Sequence, residues 1–305
     1  MHPARSLILF TTLSGLGFGL MIWLGLGLPR VTGWQAFGGY LIAFALAGTG
    51  LISSVFHLGR PERALRAFTQ WRSSWLSREA WLAVLALTLN GAYALTAMSG
   101  APVAPLGWLG ALAALATVGA TSMIYAQIKA VPRWHHWTTP ALFLSLALAG
   151  GAMIAGLGTL GLIGLAVAGV VQVLAWRGGD TRLAETGTDL GTATGLGAIG
   201  SVRAFEPPHT GGNYLTHEMI HVVGRKHAAK LRRIGAALAL AVPAVVILLG
   251  LPPLAAVVHL AGVLVLRWLF FAEAEHVVGL YYGKRRPRAA RDARPATGRR
   301  QAPRR

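Results

Sequence analysis

From Leu7 to about Tyr282 the chain is a succession of apolar runs, each close to the length needed to cross a bilayer, and this pattern leaves few folds open. An α-helix rises 1.5 Å per residue, so about twenty apolar residues span a hydrocarbon layer of roughly 30 Å. Such runs occupy Leu7–Leu28, Phe37–Phe56, Trp81–Met98 and Pro105–Ile128, the last two separated by the breaker cluster SGAPVAP at Ser99–Pro105. The first is too long for a signal-peptide core and lacks a small-residue cleavage site, so it reads as a retained span. Pro140–Trp176 is apolar almost throughout and, as one helix, would be nearly twice as long as the layer is thick. It must fold back, and Gly156, Gly158 and Gly161 are the natural turn between a fifth and a sixth span. A long hydrophilic interruption, Arg177–Arg233, precedes the seventh run, Ile234–Leu251; Pro252 and Pro253 break it, and an eighth runs from Leu254 to about Tyr282. The expected fold is all-α: an eight-helix transmembrane bundle over residues 1–283 with a cytoplasmic loop at 177–233, then a disordered basic tail at 284–305.

Composition narrows the function. The 305 residues are 54% hydrophobic and only 12% charged, too apolar for a soluble globule. A net charge of +18 invites a nucleic-acid reading, but the arginines lie in loops and a tail between membrane-length runs, where anionic lipids are the fitting counter-ions. With no cysteine, the chain forms no disulfide and ligates no iron–sulfur cluster through thiolates, so any such centre belongs to a partner. The loops after spans two, four and six, and the tail, hold nearly all the lysines and arginines; the loop after span one holds Arg30, and those after spans three, five and seven hold none. That alternation predicts an inner-membrane protein with an even span count and both termini in the cytoplasm.

His57 closes the second run and Glu79 opens the third, with Arg60, Arg63, Arg66, Arg72 and Arg78 around them. Taken singly, His57 is an interfacial histidine at a helix end, and Glu79 is a first-turn carboxylate answered by Arg78 or the helix dipole. Taken together they supply what a two-electron, two-proton quinone reaction needs, a hydrogen-bond partner for a ring oxygen and a proton acceptor. Trp134, His135, His136 and Trp137 cluster at the same face; an interfacial belt accounts for such tryptophans, and Trp134 joins Arg60 and Arg78 as a candidate quinone contact. In the eighth run Arg267 lies near mid-membrane, with Glu273, Glu275 and His276 closer to the cytoplasmic end. Intramembrane charges face a bundle interior or a water path, so structural pairing and a proton route are both open.

Three segments resemble the membrane-anchor subunits of dimethyl sulfoxide reductase-type molybdoenzymes. HLGRPERAL followed by SRE, between His57 and Glu79, looks like that family's signature at the end of span two and the start of span three. IKAVPRWHHWTTP, Ile128–Pro140, resembles its segment after span four, and AEAEHVVGLYYG near the C-terminus is a weaker third match. The resemblance implies that His57 and Glu79 help form a quinone (menaquinone or ubiquinone) site. It also implies an iron–sulfur partner subunit relaying electrons to or from a molybdopterin catalytic subunit, with no haem, cluster or metal held by the anchor itself. Such a chain is not catalytic alone. The Arg177–Arg233 insertion and the basic tail depart from the family pattern. So does orientation, since the best-known reductases work outside the cytoplasm while the charge rule here puts the docking face inside. A cytoplasm-facing dehydrogenase that feeds the quinone pool, as in sulfite-oxidising relatives, fits both.

A competing signal is HEMIHVVGRKH, His217–His227, which satisfies the three-histidine zinc signature of metzincins, with His217, His221 and His227 as ligands and Glu218 activating water. Its surroundings disagree: Met219 is the last methionine, leaving no Met-turn, and about forty residues after span six are too few for the supporting sheet. The flanking Arg225, Lys226, Lys230, Arg232 and Arg233 read as an amphipathic surface helix. A membrane-tethered zinc hydrolase therefore stands as the alternative function. A transporter is a third class, without an internal repeat to support it. Bis-histidine haem ligation needs histidines on facing helices, and His259 and His276 share one run. Ser201–Glu218 reads as extended surface chain suited to docking a soluble partner.

Overall fold

The computed structural model describes residues 1–56, 58–206, 211–219 and 227–282, without the side chains of Thr216 and Glu218. Within these the chain is entirely helical and loop. Seven helices are long and apolar enough to cross a membrane: α1 (Arg5–Gly25), α2 (Gly33–Val55), α3 (Trp75–Met98), α4 (Ala104–Ala126), α6 (Gly158–Glu185), α7 (Ala228–Leu248) and α8 (Pro252–Ala272). Between α4 and α6 lies a shorter apolar helix, α5 (Thr138–Ile154). Eight apolar helices thus form the polytopic bundle that the hydropathy pattern requires. The turns are where the breakers are: Gly100 at φ 84°, Gly156 at φ 76° and Gly250 at φ 82° end α3, α5 and α7 in the left-handed region that glycine enters without steric cost. Pro105 and Pro252 occupy first-turn positions of α4 and α8, where a missing N–H costs nothing.

Several boundaries move. α3 begins at Trp75 rather than Trp81, because its two early charges are satisfied without water. The Arg78 guanidinium donates back to the carbonyls of Trp71 (3.0 Å) and Arg72 (2.7 Å), and Glu79 accepts a hydrogen bond from Thr121. α6 continues to Glu185; twenty-eight residues reach about 42 Å, so its last turns project past a 30 Å layer and carry Arg177, Asp180, Arg182 and Glu185. The predicted loop at 177–233 is correspondingly shorter. Lys230, Arg232 and Arg233 sit in the first turns of α7 instead of a separate surface helix, while Arg225 and Lys226 lie outside the described residues. α8 ends at Ala272, not near Tyr282; Val277–Tyr282 is a short 3-10 helix. Ser201–Glu206 is irregular, as expected of surface chain, but Leu215–Met219 forms a π-helical turn. The tail at 284–305 lies outside the described residues.

α1 is the hub. It packs against α2, α4, α5 and α8 and has 72% of its apolar window buried, compared with 28% for α6. Close approach depends on glycine: a Cβ on Gly17 would stand 2.4 Å from the Ala47 nitrogen of α2, and one on Gly19 would stand 2.0 Å from the Ala147 carbonyl oxygen of α5. Small residues at helix crossings give the dispersion contacts that replace the hydrophobic effect in lipid. Polar side chains inside the bundle bond to backbone carbonyls, as Ser53 does to Ser6 (2.6 Å) and the Trp23 indole to Leu148 (2.9 Å). In α7, the π-turn at Ala237–Ala241 widens the helix where Gly262 presses against Ala239, and the freed Ala239 carbonyl lies 2.6 Å from His259 Nδ1.

Candidate functional site

Glu79 lies on the buried seam between α3 and α4. On α3 the residues Glu79, Ala83, Ala86, Asn90, Tyr93 and Ala97 are all buried, at alternating steps of four and three that keep one helical face toward a partner. α4 answers with Gly107, Gly110, Ala114, Thr117 and Thr121 at the same rhythm. The Thr121 hydroxyl meets the carboxylate at the end of this seam and donates to its Oε1. Glu79 is 4% exposed and stands about 6 Å inside the N-terminal end of its helix. Among the described residues it forms no ion pair; its hydrogen-bond partner is a neutral hydroxyl.

At comparable depth from the same end, Arg267 of α8 points into the bundle. It is 4% exposed, its guanidinium carbon lies 3.5 Å from the centroid of the Phe143 ring, and its Nε has no hydrogen-bond partner among the described residues. Tyr125 of α4 packs among Trp134, Phe143, Phe270 and Phe271 beside this region. Small cavities border Arg267: one of about 40 Å³ reaches Gln172, Arg133 and Glu273, and two of about 10 Å³ reach Thr11, Thr12 and Thr121 of α1 and α4. These volumes admit single waters or a few, not a quinone ring.

A second charged group closes this end of the bundle. Arg232 of α7 forks onto Asp180 of α6 (2.6 and 2.7 Å) and donates through Nε to Glu273 (2.6 Å); Arg133, in the α4–α5 connection, reaches the same two acids at 2.5 and 3.4 Å. Glu273, just after α8, is therefore held by two arginines, which is the structural pairing left open by the sequence. His276 accepts from the Val278 N–H (3.1 Å) at Nδ1; burial and the Met1 ammonium hold its pKa below the usual imidazole value. His136 is also held low, by burial first and then by Arg182, with Glu185 opposing. Glu275 is partly buried beside them.

The remaining predicted residues scatter. His57 lies outside the described residues. Arg60 is exposed at the head of the 3-10 helix Pro61–Phe68, and Arg78 ties the α2–α3 connection together, 4.5 Å over the Trp75 ring. Trp134 is not an interfacial belt residue: it is 2% exposed, stacks on Phe270 at 5.2 Å and donates to the Phe270 carbonyl (3.0 Å). Trp137, by contrast, is exposed. Of the zinc-like string, His217 and His227 are described, whereas His221 and the Glu218 side chain are not; among the described residues no group of three potential ligands converges. His259 is buried on α8 and His276 lies beyond its end.

A model of the family described as DMSO reductase anchor subunit (DmsC) matches residues 1–175, which include Glu79, Thr121 and the whole α3–α4 seam. The chain belongs to this family. The anchor subunit is 35% identical to a sulfite dehydrogenase subunit of Allochromatium vinosum over 92% of this chain and 99% of that protein. It is 32% identical to the anaerobic dimethyl sulfoxide reductase chain YnfH of Escherichia coli over 39% of this chain and 43% of that protein. No solved structure matches. The anchor subunit is thus a multi-pass membrane component of an electron-transport complex, and the first relative extends the likeness beyond the family match into α7 and α8.

Proposed function

We propose that this anchor subunit binds a quinone at its arginine-rich end, between His57 and Glu79, and passes electrons between the quinone pool and an iron–sulfur subunit of a molybdopterin oxidoreductase. The observation that carries the reading is the buried Glu79 carboxylate with only a neutral hydroxyl as described partner. A carboxylate clamped by arginines, as Glu273 is, cannot take up a proton without losing ion pairs; Glu79 exchanges one at the cost of a single hydrogen bond. The cavities bordered by described residues around Arg267 are too small for the ring, so in this reading the quinone head enters from the lipid boundary where α2 passes to α3. Arg60 and Arg78 keep that approach basic, and in this reading His57 hydrogen-bonds the quinone while Glu79 exchanges the proton. We place this face and both termini in the cytoplasm of an inner-membrane protein, on the loop distribution of basic residues. The partner enzyme oxidises sulfite and delivers electrons to the pool, a reading supported by the name of the Allochromatium relative.

The test is co-purification of the tagged chain in mild detergent, with molybdenum and iron measured, followed by sulfite-dependent reduction of decylubiquinone. Glu79→Gln and His57→Ala complexes are expected to assemble with full metal content and to lose quinone reduction by at least about a hundredfold. Full quinone activity in both variants would dispose of the site.

A further inference from the structure

Quinone reduction consumes two protons, and a carboxylate 4% exposed needs a supply. We propose that Arg267 is the centre of a hydrated passage that resupplies Glu79 with protons from the mouth formed by Arg133 and Glu273; the proposal rests on the quinone reading above.

The geometry provides each segment. From Glu79 the Thr121 hydroxyl is the next group inward, and Thr121 lines a cavity of about 10 Å³ shared with Thr11, Ser14, Gly15 and Arg267. On its other side Arg267 lines the cavity of about 40 Å³ that reaches Gln172, Arg133 and Glu273. The latter pair connects to Asp180, whose side chain is 46% exposed. Two orphaned polar atoms mark the passage as wet: Arg267 Nε, and Thr12 Oγ1 in the adjoining cavity of about 10 Å³. Cavities of about 10 Å³ are just large enough for one water, and a water placed there beside the hydroxyls and Arg267 would satisfy such orphans.

Arginine stays protonated and does not relay. A fixed cation repels an excess proton but attracts a proton hole, so it sets the mode of transfer. Waters coordinated to Arg267 turn their hydrogens outward, toward Thr121 and Glu79. When Glu79 has given its proton to the reduced quinone, the neighbouring hydroxyl and water each pass one proton along, one O–H bond breaking as the next forms. The deficit left behind travels inward, is stabilised beside Arg267, and is filled from bulk water at the Glu273 mouth. Glu79 gives a proton and is refilled in this way once for each of the two electrons that the partner's redox centre supplies, so charge and atoms balance at quinol.

Gly15 offers a test that leaves every titratable group in place. A Cβ there meets only the Ala147 Cβ at 3.9 Å, so Gly15→Leu directs its side chain into the cavity between Thr121 and Arg267. In the purified complex, with dithionite-reduced methyl viologen as donor and decylubiquinone as acceptor, Gly15→Leu and Thr121→Val are each expected to lower kcat on the order of tenfold. KM for the quinone stays within about twofold and the solvent deuterium isotope effect on kcat rises. Thr121→Val, nearly isosteric, carries the test if Gly15→Leu disturbs assembly. Glu79→Gln separates the two proposals. If it is inactive while both passage variants keep parental kcat and isotope effect, the passage is wrong and the quinone site stands; if it is fully active, both fall.

Discussion

At the scale of single residues, burial sorts the two acids that matter. Glu79 and Glu273 lie at the same end of the bundle, 4% and 7% exposed, yet one faces a hydroxyl and the other two arginines. Replacing Thr121 by Val removes the donor and leaves a buried carboxylate oxygen unsatisfied, a cost of about 1–3 kcal/mol. The expected outcome is a lower melting temperature in detergent, with most of it restored by Thr121→Ser. A second residue-level prediction concerns pH. His136 and His276 both have pKa values held below the unfolded value near 6.5, so above that pH neither state is protonated and the two contribute nothing. As pH falls through 6.5 the unfolded chain binds the proton first and native stability declines. Thermal scans should show a loss as pH falls from about 7 to about 5 that His136→Gln makes shallower; an unchanged slope would refute the assignment. Sequence alone pointed to Glu79, because a charge flanking an apolar run stands out, but not to Thr121. A threonine inside such a run has no contrast with its neighbours, and only its three-and-four spacing from Gly107, Gly110, Ala114 and Thr117 marks its face.

At the scale of helices, the number of spans was legible and their ends were not. Hydropathy located α3 only from Trp81, since Arg78 and Glu79 looked like water-facing residues, whereas the Trp71 and Arg72 carbonyls just upstream and the distant Thr121 hydroxyl let the helix start at Trp75. α6 ran on for the opposite reason: its polar continuation is helical because Asp180 is anchored to α7 and the α4–α5 connection. Neither partner is local, so no window of sequence contains the information. Helix pairing makes a sharper prediction. A side chain on Gly17 meets the Ala47 nitrogen at 2.4 Å and the Ala43 oxygen at 2.7 Å, which are backbone atoms that cannot rotate away. Gly17→Val must part α1 from α2, at about 1–3 kcal/mol or more. It should reduce yield of folded complex severely, while Gly48→Val, in open space, should be tolerated.

At the scale of the whole molecule, the Arg133–Asp180–Arg232–Glu273 group binds the α4–α5 connection to α6, α7 and α8. Arg232 uses all three nitrogens, two on Asp180 and one on Glu273. Arg232→Leu leaves the nearly buried Glu273 with the weaker Arg133 contact; a fully buried pair would cost about 3–5 kcal/mol to break, and partial exposure here lowers that. Arg232→Lys should recover little, because an ammonium cannot reproduce the fork. Melting of the complex in detergent measures both.

The central place of α1 also has a meaning in time. α1 precedes the other seven helices in the chain, yet its surfaces are covered by α2, α4, α5 and α8. During insertion it therefore sits in lipid with Thr11, Thr12 and Ser14 unpacked, waiting for partners made up to some two hundred residues later. Completion of the bundle therefore hangs on its last helix: a chain cut before Pro252 should be cleared from the membrane even though its first seven helices are present.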